Sequence, residues 1–173
     1  MAKQAENYIT TGPNVAIRPL RESDLPELMV LEQDPEVLRY ITDGKPLPTA
    51  DIEARLHKAI DFYQHHGGLG KFAVIDREHH DFLGWACLQP LDQTSEIEIG
   101  YRLHQKAWGR GIATETSQLL RDYFFDQLGH KRLVGVVRAD NLASKRVLEK
   151  TGLQYIKEAV YYNTPVLYFA LER

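Results

Sequence analysis

The sequence has one cysteine, two tryptophans and two methionines among 173 residues, and no apolar run long enough to span a bilayer. A lone thiol, Cys87, permits no internal disulfide, so the fold must rest on its core, and a reducing compartment suits it. An excess of one charge is also missing. With 21 basic and 24 acidic side chains scattered along the chain, the net charge is −3, and no nucleic-acid footprint appears. The opening MAKQAENYITTGPN lacks the apolar centre of a secretion signal, so a cytoplasmic protein with no membrane partner is expected.

What is present is an ordinary globular mixture, 43% hydrophobic and 26% charged, without repeats, linkers or low-complexity tracts. It predicts a single domain over residues 1–173, with 1–14 loosely ordered. Val15–Leu20 reads as a strand halted by Pro19, followed by a helix from Ser23 or Asp24 and a short helical piece in DPEVLRYI. A clearer helix follows Thr49, with Ile52, Leu56, Ile60 and Tyr63 at helical spacing and Gly67-Gly68 as its stop. GKFAVIDR, DFLGWACLQ and SEIEIGYRL then alternate polar and apolar residues, which predicts an antiparallel meander. A helix ending near Gly129, the strand RLVGVVR, a helix capped by Asp140 or Asn141, and a hairpin across Asn163 complete an α+β order.

Between the meander and the next helix lies AWGRGIATE, with Gly109, Gly111 and Ala113 on alternate positions. Glycine weakens a helix, so its use here needs a reason. The first amides of a helix have no partners and the positive end of its dipole points outward; small residues there let an anion's oxygens approach. A pyrophosphate cradle fits, with Arg110 and Lys106 as flanking charge. Tight helix–sheet packing without a ligand fits the glycines equally well. A P-loop does not, because Ile112 and Ala113 follow Gly111 where lysine and Ser/Thr would be needed. Nor does a dinucleotide fingerprint: His104 to Trp108 separate strand from glycine, and no acid stands near His130.

EIGYRL with AWGRGIATE (Glu98–Glu115), and NLASKRVLEKTGL (Asn141–Leu153), together resemble the GNAT N-acetyltransferase superfamily. The likeness is to its RimJ/RimL-like ribosomal-protein-alanine branch, and VAIRPLRESDLPEL resembles that branch's opening. Lys106 departs from the family's usual Gln or Arg and loses a bidentate fork. The resemblance implies a mixed, mostly antiparallel sheet of six to seven strands with helices on both faces. It implies acetyl-CoA as co-substrate, no metal, and a primary amine as acceptor: a protein N-terminus first, a small amine such as a polyamine, amino acid or aminoglycoside second. A non-catalytic acyl-CoA-binding domain is the reading from another class.

The resemblance also assigns residues. Backbone around Tyr101 and Leu103 would pair with the pantetheine arm, and the amides of Gly109, Arg110, Gly111, Ile112, Ala113 and Thr114 would hold the pyrophosphate, with Trp108 at the coenzyme site either packed under the loop or stacked on adenine. Asn141 would touch the pantetheine, or serve only as a helix cap. Glu98 would act as base, with Glu96 as understudy on the same strand face. A backbone N–H near Leu103 would meet the oxyanion. Many family members use a tyrosine acid in the second helix, but that slot is Leu148 here, which leaves Ser144 as the substitute. Lys145 and Arg146 read as a solvated helix face or a contact to the CoA 3′-phosphate.

Other residues read as structural. The pairs His65-His66 and His79-His80 lie beside turns and point apart, unlike metal ligands. Cys87 reads as core rather than nucleophile. Tyr155, Tyr161 and Tyr162 read as core aromatics or as the wall of an acceptor groove. A monomer and a homodimer fit equally.

Overall fold

The three alternating segments form the expected meander: β3 (Gly70–Asp76), β4 (Phe82–Pro90) and β5 (Ile97–Leu103), joined by antiparallel pairing. The computed structural model describes residues 6–173. Among these, eight strands make one sheet in the order β1-β2-β3-β4-β5-β6-β8-β7. β1 (Thr10–Thr11) and β2 (Val15–Pro19) extend the meander at one side, and β6 (Arg132–Val137), β7 (Gln154–Tyr161) and β8 (Thr164–Glu172) at the other. The β5–β6 pair is parallel and the remaining pairs are antiparallel.

The sheet therefore has eight strands where six to seven were expected. The smallest is β1, two residues paired as Thr10↔Ile17 and Thr11↔Ala16. Two residues carry no alternation, so nothing in the sequence announces such a strand. Of the segment expected to be loosely ordered, residues 1–5 lie outside the described residues. At its other end Asn14 donates its backbone N–H and its side-chain amide to the Glu115 carboxylate, both at 2.8 Å.

Helices cover both faces. α1 (Leu25–Leu31) and α2 (Thr49–His65) lie on one, where Leu28, Leu31, Ile52 and Leu56 pack on Ala73, Trp85 and Cys87. α3 (Ile112–Asp122), prolonged by a π-turn at Tyr123–Gln127, and α4 (Leu142–Thr151) lie on the other, where Ile112, Leu120, Phe124 and Leu148 meet Phe72, Leu88, Leu133 and Phe169. Each fully buried large side chain contributes about 1.5–3 kcal/mol, so these two layers carry most of the cohesion.

The helical piece expected in DPEVLRYI is instead a run of turns. Only Leu38 is fully buried there, and two i→i−4 bonds (Leu38 N–H to the Asp34 carbonyl, 3.1 Å, and Thr42 N–H to the Leu38 carbonyl, 3.0 Å) are at once followed by left-handed backbone at Asp43 and Gly44. One apolar anchor cannot hold a helix that needs a continuous stripe. Pro48 at φ −58 precedes α2, and Thr49 is its first residue rather than a side-chain cap.

Candidate active site

β5 and β6 pair only at Ile97↔Leu133 and Glu98↔Val134. Beyond that point β5 stays with β4 as far as Gly84↔Leu103, and β6 stays with β8 as far as Val137↔Leu167. Their facing edges part and leave a slot. Backbone groups of successive strand residues point to alternate sides. The Arg102 carbonyl presses on Gly84, 2.1 Å from where a Cβ would stand, so Tyr101 and Leu103 direct theirs into the slot. The Leu103 carbonyl accepts the Trp108 indole N–H at 2.9 Å, which leaves its own N–H for a guest. A cleft of about 570 Å³ opens from this slot toward the starts of α3 and α4.

The glycine loop forms the cleft's far wall. Gly109 (φ 69) and Gly111 (φ 75) are both left-handed, and a Cβ on either would meet nothing within 4 Å. The glycines thus serve backbone conformation first, while the space beside them stays open. Gly111 stands at the cap of α3 without a side-chain hydrogen bond, so the first-turn amides of Ile112, Ala113 and Thr114 have no capping acceptor. All three line the cleft, as do Trp108 and both glycines. Bare amides at the positive end of a helix suit the paired phosphates of a coenzyme.

Arg110, expected among them, does not line the cleft. Its guanidinium turns away to the Asp76 carboxylate (3.2 Å) and the Lys106 carbonyl (3.3 Å). Asp76 sits well below the usual carboxylate range, at about 2, chiefly through the His79 backbone N–H, which overrides its burial. Lys106 lies 4.0 Å from Asp81. Arg102 lines the cleft but is paired with Glu32, so the cations without such a partner come from α4: Arg146 and Lys150, one turn apart, both line it, and Lys145 does not.

At the start of α4, Asn141 accepts the Ser144 backbone N–H at 3.3 Å, so its capping role is met while it also lines the cleft. The Ser144 hydroxyl lies 3.0 Å from the Tyr101 hydroxyl, and both residues line the cleft. Burial pushes the Tyr101 phenol up, opposed in part by Ser144. Leu148 is buried, its Cδ2 2.7 Å from where a Cβ on Gly135 would stand, and offers no proton.

The carboxylates lie apart from the cleft, Glu98 on the other face of β5 and Glu96 in the bend just before that strand. Glu96 accepts from Tyr168 (2.6 Å) and pairs with Arg132 (3.2 Å). Glu98 accepts no cation; its partners are the Tyr162 hydroxyl at 2.5 Å and Gln89 at 3.3 Å. Burial raises its pKa, and the bonds from Tyr162 and Gln89 oppose that rise. Glu98 is 8% exposed and stands outside the cleft lining, at the last pair before the strands part. Tyr162 carries a partner of Glu98 that its place in a turn did not suggest; Tyr155 is exposed on the edge strand β7.

The remaining candidates fall away from this centre. His65 Nδ1 bonds the Asp61 carbonyl at 2.9 Å, and the His66 ring stacks on Phe62 at 3.6 Å. Among the described residues no group of three or more His, Cys, Asp or Glu side chains could hold a metal ion. No helix among them is long and apolar enough to cross a membrane. Cys87 is buried and its thiol is pushed up to about 12 by that burial.

A family model described as an acetyltransferase (GNAT) domain matches residues 14–154. The uncharacterized N-acetyltransferase p20 of Bacillus licheniformis is 32% identical over 78% of this chain and 78% of its own. The FsC-acetyl coenzyme A-N(2)-transacetylase of Aspergillus fumigatus is 29% identical over 79% of this chain, which spans 61% of that protein's length. A solved acetyltransferase from Salmonella typhimurium, which modifies the N-terminal serine of 50S ribosomal subunit protein L7/L12, superposes with a TM-score of 0.79 at 19% identity, over 95% of this chain and 98% of that one. An open helix-start cradle, a parted β5–β6 pair and a family match across both motifs converge: the chain belongs to the GNAT family of acetyltransferases and is an N-acetyltransferase.

Proposed function

We propose that the protein moves an acetyl group from acetyl-CoA to the amine of a protein or peptide N-terminus, by direct attack within a ternary complex. The observation that carries the coenzyme half is the row of uncapped amides from Ile112 to Thr114 beside the left-handed glycines, open on the cleft. The cradle of Gly109 to Thr114 would hold the pyrophosphate, with Arg146 and Lys150 adding charge. The free N–H of Leu103 in the slot faces the place where an oxyanion would form.

A protonated amine must lose its proton before it attacks. Glu98 suits that task, because it lies at the slot's closed end, lacks a cationic partner and has a raised pKa. Glu96 suits it less, being committed to Arg132. Residues 98 and 101 point to opposite faces of β5, so amine and thiol would enter and leave on opposite sides. Ser144 stands on the leaving side. Positioning supplies much of the rest, since orientation alone is worth about 7–11 kcal/mol.

The Salmonella fold relative acts on an N-terminal serine, which supports the protein N-terminus. The Aspergillus relative is an N(2)-transacetylase, and this favours a small amine as the second reading. The deciding test is thiol release from acetyl-CoA with peptides beginning in serine or alanine, and with polyamines, amino acids and aminoglycosides. Turnover with the peptides is expected. Turnover with small amines alone would overturn the N-terminal acceptor, and coenzyme binding without any turnover would leave an acyl-CoA-binding domain.

A further inference from the structure

Transfer to an amine leaves a thiolate behind, and the chain must furnish it with a proton. The slot's leaving side offers two hydroxyls, those of Tyr101 on β5 and Ser144 in the first turn of α4, 3.0 Å apart. One of them donates to the other, which leaves a single proton free to point into the cleft that both residues line. Among the described residues the Tyr101 hydroxyl has no other partner, and neither hydroxyl bonds a charged group. The phenol is the better match for the task. A thiol ionises near ~8.5 and a phenol near ~10, whereas an alkanol is a far weaker acid. The helix position that would otherwise bring a phenol here is Leu148, which is packed against Gly135.

We propose that Tyr101 delivers the proton to the departing sulfur, and that Ser144 orients the phenol and resupplies it. This rests on the acetyltransferase reading above. As the C–N bond forms and the C–S bond breaks, the sulfur takes the bonding pair and then the Tyr101 proton. The proton lost by the amine goes to Glu98. Tyr101 regains its proton from the Ser144 hydroxyl, which takes one from cleft water, and the base returns its own to solvent. Amine and thioester become amide and thiol, with no proton gained or lost. Burial favours the neutral phenol, so the donor is loaded at neutral pH.

Calorimetry with CoA and with desulfo-CoA tests this without an acceptor. At pH 9, where much of the thiol is ionised, the wild type is expected to bind CoA several-fold more tightly than desulfo-CoA. Tyr101→Phe keeps the backbone amide and is expected to erase that preference while changing desulfo-CoA affinity little. With acetyl-CoA and a serine-initiated peptide, Tyr101→Phe is expected to lower kcat about 100-fold at unchanged KM. Ser144→Ala is expected to lower it about tenfold and to keep the alkaline limb of the pH profile, which Tyr101→Phe loses. A preference retained in Tyr101→Phe, or a kcat loss no larger than that of Ser144→Ala, would overturn the proposal. No heat with either analogue would sink the acetyltransferase reading and this step with it; equal wild-type binding of both would sink this step alone. If Tyr101→Phe fails to fold, site-specific 3-fluorotyrosine at 101 replaces it: the more acidic phenol should move the alkaline limb to lower pH, and an unmoved limb counts against the donor.

Discussion

Tyr162 donates its hydroxyl to Glu98 at 2.5 Å from a two-residue hairpin turn in which Tyr162 and Asn163 are both left-handed, at φ 52 and 55. Such backbone is costly for an aromatic residue, and it is held by Asp92, whose carboxylate accepts the Tyr162 N–H and whose own N–H reaches the Tyr162 hydroxyl, each at 2.8 Å. The turn thus ties the far end of the sheet to the carboxylate at the closed end of the slot. Burial raises the Glu98 pKa and the Tyr162 bond lowers it, so Tyr162→Phe should raise it further. A base works only when ionised; the acid limb of the pH–rate profile should therefore move to higher pH in Tyr162→Phe. An acid limb at the wild-type position would show that Glu98 is not the group titrating.

The bare loop makes a second prediction. At φ 75, Gly111→Ala should cost about 1–2 kcal/mol in stability through left-handed strain, although its Cβ would touch nothing. Gly111→Glu adds an anion where phosphates are expected, and coenzyme heat should vanish in calorimetry while the chain still folds by circular dichroism.

Arg146 and Lys150 share one face of α4 and line the cleft. Replacing either by alanine should weaken CoA binding by about 0.5–1 kcal/mol, a two- to fivefold loss. The loss should shrink in high salt, as screening requires.

Stability far from the site depends on a buried pair. Arg18 and Asp24 meet at 2.7 Å with side chains only 6% exposed, and Asp24 also accepts the Arg21 backbone N–H at 2.9 Å. Asp24→Ala strands a guanidinium in the core and should cost about 3–5 kcal/mol in denaturant unfolding.

Cys87 should be silent. With its thiol pushed up to about 12 by burial and its side chain out of reach of solvent, Cys87 offers almost no thiolate at neutral pH. A disulfide reagent should therefore react only after denaturant is added. Rapid labelling of the folded chain would reopen a cysteine-bound acetyl intermediate.

Much of the fold was legible because its signals are local. Short strand-forming runs bounded by turns mark β3 and β4, alternation marks β5, helical spacing marks α2, and the positions of Gly109, Gly111 and Asn141 announce two helix starts. Where local signals are thin, tertiary contacts decide the backbone instead. Two residues at Thr10–Thr11 form a strand because β2 offers an edge, and DPEVLRYI turns instead of coiling because only Leu38 is anchored.

Taken alone, the sequence determined the element order, the glycine loop and the place of Glu98 on β5, since each depends on spacing along one segment. Tertiary structure decided which groups meet: Arg110 turned to Asp76, Tyr162 brought to Glu98 across 64 residues, and Tyr101 joined to Ser144 across the slot. Those pairings depend on how strands and helices pack in space, and no single segment carries that information. Side-chain partners and pKa values follow from distance and burial, which exist only once the chain has closed on itself.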